Sequence, residues 1–141
     1  MTDDQTIQSY FLSLSSNKSR EIVQLFKLIK DTLSESELHF FDGKNAEGKV
    51  VANPTIGFGN CRLHYADGRY QDTFRLGISA NSTGLSIHIL GLKDKNFLND
   101  FLGTRLGKAK ITGYAIRFGK MKDMDERVFR ELVREVIKGN I

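Results

Sequence analysis

Leu106-Gly107-Lys108-Ala109-Lys110-Ile111-Thr112-Gly113-Tyr114-Ala115-Ile116-Arg117-Phe118, followed by Met121-Lys122-Asp123-Met124-Asp125, decides the fold class of this chain. The glycines at 107 and 113 mark a loop, and 114–118 then alternates as a half-buried strand does. Tyr114, Ile116 and Phe118 fall on one face of that strand, with Ala115 and Arg117 on the other. An amphipathic helix comes next. Its start is placed at Asp123, with Glu126 three residues on in a box-like arrangement, and its apolar stripe is Val128, Phe129, Leu132, Val133, Val136 and Ile137. Gly139 is placed at its end.

The chain opens with two amphipathic helices. Ile7, Tyr10, Phe11 and Leu14 recur at helical spacing over 5–14, and Ile22, Leu25, Phe26, Ile29 and Leu33 do so over 18–33, with Asn17 as the expected N-cap between them. From Leu38 the period shortens to two, and glycines and the Asn53-Pro54 pair punctuate short β-prone runs. Asp67-Gly68 reads as a hairpin turn joining a strand over 59–66 to one around 74–79. Asn81 to Gly84 turns the chain into a strand over 85–90. Asp94 is placed as the cap of a short helix over 95–102 that Gly103 stops. The expected fold is therefore α+β, an antiparallel sheet packed on one face by N- and C-terminal helices, in a single domain spanning 1–141.

The 141 residues suffice to bury a core without metal or disulfide, and an apolar fraction of 40% with 27% charged residues is ordinary for a globular protein. No stretch approaches the roughly 18 apolar residues that span a bilayer, so no membrane partner is expected. The acidic start Met1-Thr2-Asp3-Asp4 is unlike a signal peptide, and one cysteine, Cys61, makes no internal disulfide. Both point to the cytoplasm. The net charge of +4 is C-terminal: residues 102–141 hold ten Lys and Arg against five Asp and Glu. That surplus suits an anionic partner, or simply a solvated helix face on which Glu131 and Glu135 pair with neighbouring cations. Nucleic acid is disfavoured because this helix lacks exposed aromatics.

Strand alternation sorts the candidate site. Cys61, Leu63 and Tyr65 share one face and Arg62 and His64 the other; Phe74, Leu76 and Ile78 oppose Arg75; Leu85, Ile87 and Ile89 oppose His88. If the apolar sets all face the helices, the opposite sheet face gathers Arg62, His64, Arg75, His88 and Arg117, a cationic surface suited to an anionic small molecule or an acidic protein partner. The alternative is an ordinary solvated sheet face. His39, ahead of two phenylalanines, reads as a packing residue. A zinc site from Cys61, His64 and His88 fails on geometry, since Cys61 and His64 point opposite ways on one strand, and a Cys61–His64 nucleophile pair fails with it. Cys61 reads as an inert core thiol. Neither Gly57-Phe58-Gly59 nor 103–108 has the spacing of a nucleotide-binding loop, and no catalytic set stands out.

Several motifs together resemble one family. Thr55-Ile56-Gly57-Phe58-Gly59, His64-Tyr65-Ala66-Asp67-Gly68-Arg69, Leu85-Ser86-Ile87-His88-Ile89-Leu90, Leu106-Gly107-Lys108-Ala109-Lys110 and Met121-Lys122-Asp123-Met124-Asp125 are similar to those of the YdhG-like family, small bacterial proteins whose domain is of unknown function. Tyr10, Leu14 and Arg20 in the opening helices fit as well. Ser15-Ser16 stands where the family usually has proline, and 45–51 is a reshaped loop. The resemblance implies a frataxin-like sandwich and, for some members, a role as an intracellular iron chaperone. Frataxin-type proteins hold iron weakly on exposed carboxylates, and here Asp3, Asp4, Glu21, Asp31, Glu35 and Glu37 are interspersed with Lys18, Arg20, Lys27 and Lys30. No other cofactor is expected. The leading expectation is a non-enzymatic binding protein that uses the polar sheet face, with iron chaperoning as the alternative.

Overall fold

The computed structural model describes residues 3–33 and 37–138. Glu35 and Gly139 lie outside them. Two helices, α1 (Asp3–Ser13) and α2 (Ser16–Thr32), precede β1 (Leu38–Phe41), β2 (Thr55–Phe58), β3 (Cys61–His64), β4 (Tyr70–Thr73), β5 (Leu76–Asn81) and β6 (Gly84–Ile89). Then come α3 (Phe97–Leu102), β7 (Lys110–Ile111), β8 (Ala115–Phe118), a 3-10 turn at Met121–Asp123 and α4 (Glu126–Lys138). Six strands form one antiparallel sheet in the order β1-β2-β5-β6-β8-β7, and β3 and β4 pair as a separate hairpin. The expected α+β class is what the chain adopts. Among the described residues no helix is long and apolar enough to cross a membrane.

The inner face of the sheet is laid down by register. Phe40, Ile56, Ile78, Ile87, Ile116 and Ile111 are successive partners across all six strands, flanked by the row Leu38, Phe58, Leu76 and Ile89. Against these β-branched and aromatic rows pack the stripes of α1, α2 and α4 in one core, in which Ile22, Leu25, Ile29, Phe129, Leu132 and Val133 are fully buried. Burying such a side chain contributes about 1.5–3 kcal/mol each, which outweighs the loss of rotamer freedom that ordering it costs. Tyr10 enters this core with its hydroxyl accepting from the Ala80 amide at 3.1 Å. Burial, opposed by that hydrogen bond, raises the Tyr10 pKa above its ordinary value.

Three terminations differ from expectation. Ser15, not Asn17, caps α2, its hydroxyl accepting from the Lys18 amide. Asp125, not Asp123, caps α4: its carboxylate accepts from the Val128 amide at 3.1 Å and its carbonyl from the Phe129 amide. The reason is tertiary. Leu106–Lys108 runs beside 123–125, with the Lys108 amide donating to Asp123 and the Asp125 amide to Leu106, which holds Met124 extended and stops any helix from starting earlier. Gly107 makes this approach feasible; at its φ of +111° a Cβ would lie 2.5 Å from the Asp123 carbonyl oxygen. Third, the Asp67-Gly68 turn closes Tyr70–Thr73 onto Cys61–His64, and a bend at Arg75 separates that hairpin from β5.

Candidate functional site

The five residues expected on one face are divided by these turns. Arg62 and His64 lie on the β3–β4 hairpin, outside the six-stranded sheet. Arg62 is spent on Asp72, with Nε and Nη2 both donating to its carboxylate at 2.7 and 3.2 Å, and it stacks over the Tyr70 ring. The hydrogen bond and charge of Arg62 lower the Asp72 pKa, and those of Asp72 raise that of Arg62. Arg75 sits at the bend and donates from Nη1 to the Leu90 and Gly91 carbonyls, so it braces two chain segments instead of facing a ligand. Only His88 and Arg117 share the outer face of the main sheet, on adjacent strands. Burial first, and the nearby Arg117 charge second, lower the His88 pKa below the ordinary imidazole value. His88 therefore takes up a proton less readily than a free imidazole.

Two rings expected in the core lie outside it. The bend at Arg75 resets the alternation, so Phe74 lies over Gly57 and Gly77 on the face opposite Leu76 and Ile78. Tyr114, just before β8, is 57% exposed and stacks on His88 with ring centroids 6.1 Å apart. Cys61 is buried as expected, but on the hairpin beside Gly91 and Arg75 and not under the helices. His39 is half-buried, and its Nε2 bonds the Asn60 side-chain oxygen at 2.8 Å.

A different set of cations does converge. The first turn of α2, the β5–β6 turn and the segment leaving β8 enclose a cleft of about 460 Å³ lined by Lys18, Arg20, Lys120 and Lys122, with Asn17, Ser82 and Thr83 as further polar groups. Ser15 sets where α2 begins, Asn81 shapes the turn by accepting from the amide and hydroxyl of Thr83, and Asp123 accepts from the Lys120 amide. One carboxylate, Glu21, lines the cleft, and it accepts from the Met121 amide at 2.8 Å. Among the described residues none of the four cations is in an ion pair. Sequence reasoning missed this site because its residues come from three segments far apart in the chain. The available signal was the C-terminal cationic surplus at Lys120 and Lys122.

No family model, curated protein or solved structure matches this chain. Iron as a cargo would need oxygen-rich ligands, and among the described residues no group of three or more His, Cys, Asp or Glu is placed to hold a metal ion. Asp31 and Glu37 are each in separate segments of the chain, and Glu37 accepts from the Asn60 amide group.

Proposed function

We propose that this protein is a non-enzymatic binding module for a small anionic ligand, of phosphate or carboxylate type, held in the cleft between α2 and the β5–β6 turn. One observation carries the reading: four unpaired cations from separate segments border a single concave site whose only carboxylate is committed to a backbone amide. Charge-assisted hydrogen bonds from Lys and Arg to an anion are roughly twice as strong as neutral ones. Glu21, the carboxylate lining the cleft, holds the Met121 amide, which favours binding over catalysis there.

The test is calorimetric titration with pyrophosphate at pH 7. Wild type should bind saturably; Lys18→Glu with Lys120→Glu should weaken binding at least tenfold, while Arg69→Gln on the distant hairpin should leave it unchanged. Equal affinities in all three proteins would defeat the cleft reading. Saturable ferrous iron binding that survives the cleft substitutions would favour iron chaperoning instead.

A further inference from the structure

The outer face of the six-stranded sheet has a composition that the core-facing pattern does not require. We infer that this face binds single-stranded nucleic acid, with bases stacking on an aromatic band and phosphates meeting cations at one end. The band crosses the sheet as two ring pairs linked by strand register. The Phe41 and Phe74 rings lie 5.3 Å apart, Phe74 covers Gly77, the register partner of Gly77 is His88, and His88 stacks on Tyr114. Phe41 and Tyr114, at the two ends, are 39% and 57% exposed. Gly57 and Gly77 are what let a ring lie flat in the middle, since a Cβ at either would fall under 3 Å from Phe74.

Beyond the band, Arg117 and Lys110 are cross-strand partners and both are exposed. The outward positions of the six strands hold no carboxylate and no Val, Leu or Ile. Two choices of occupant are thereby separated. An acidic peptide would meet the Arg117 and Lys110 charge but brings no planar rings to stack on the band. A polyanion with planar rings meets both the aromatic surface and the charge. Exposed aromatics missing from the C-terminal helix are present here, on the sheet. A duplex keeps its bases stacked inside and offers such a platform nothing, so the inference is specific to single strands.

The experiment is fluorescence anisotropy of the full chain with fluorescein-labelled ten-nucleotide (dT) and (rU) probes, beside a (dT)·(dA) duplex and a deca-glutamate peptide. Saturable binding to at least one single strand is expected. Tyr114→Ala and Phe41→Ala should each weaken it about 5- to 150-fold, Tyr114→Phe should restore it, and Arg117→Gln should flatten the log–log salt dependence by about 0.7. Circular dichroism checks folding; Tyr114, being more than half exposed, carries the test if Phe41→Ala does not fold. Pyrophosphate at matched ionic strength should not displace the probe, which separates this face from the proposed cleft. No saturable single-strand binding, binding indifferent to Tyr114→Ala, displacement by pyrophosphate, or equal binding of duplex or deca-glutamate would each overturn the inference.

Discussion

Gly77→Ala is expected to destabilise the protein through one identifiable neighbour, Phe74. A Cβ at Gly77 would press hardest on Phe74 Cε2 and lie 2.7 Å from Cζ, against the 3.4 Å at which ordinary contact begins, a shortfall of at least about 0.7 Å; Thr55 Cγ2 would be 2.9 Å away. Phe74 is half-buried and pinned against Phe41, so it must tilt outward and give up contact with the sheet. Overpacking of this kind costs about 1–3 kcal/mol, while replacing a strand glycine by alanine recovers about 0.5–1 kcal/mol of chain entropy. The net should be a loss of up to about 2.5 kcal/mol. In a Phe74→Ala background only the Thr55 methyl remains, and the same substitution should be close to neutral. Urea denaturation of the four proteins measures the coupling directly, expected at about 1–2 kcal/mol. Additivity within about 0.5 kcal/mol, the range of independent sites, would refute the placement of Phe74 on the outer face.

Phe129→Ala and Leu132→Ala should each cost about 2–5 kcal/mol in urea unfolding, because both side chains are fully buried under the sheet; near-wild-type midpoints would contradict the position of α4. Cys61 should react slowly with a thiol reagent in the native state and quickly after unfolding, and rapid native labelling would show that the hairpin opens readily. His88 should make stability fall with acid. Its folded pKa lies below the unfolded value of about 6.5, so its contribution is complete above that pH and is lost as pH drops, when the unfolded chain takes the proton that the native site disfavours. His88→Gln should flatten the wild-type decline between pH 6.5 and 5.5, and identical pH profiles for the two proteins would show that another group controls it.

The aromatic band arises where the strand parity suggested by the sequence is broken. Alternation tells which side chains of one strand go together, and it holds only while the strand stays extended. At Arg75 the chain bends so that the guanidinium reaches the Leu90 and Gly91 carbonyls, and the parity of everything before the bend is reset. Phe74 therefore left the core face, and Arg62 and His64 left the sheet. The same reasoning covers the helix starts: Asp123 and Asp125 are both good caps, and the strand-like pairing of Leu106–Lys108 with 123–125 chose between them.

Periodicity and turn chemistry, both properties of near neighbours, determined by themselves the four helices, the antiparallel sheet and the buried stripe of α4. Those signals are local because a helix or strand face is set by residues at most a few positions apart. Which cations face a ligand depended instead on partners 10 to 26 residues away or more, as with Arg62 and Asp72, Arg75 and Leu90, or Arg105 and Glu131. Only the tertiary structure decided that Lys18, Arg20, Lys120 and Lys122 meet around one cleft, because bringing their segments together is the work of the core beneath them, and no spacing along the chain encodes it.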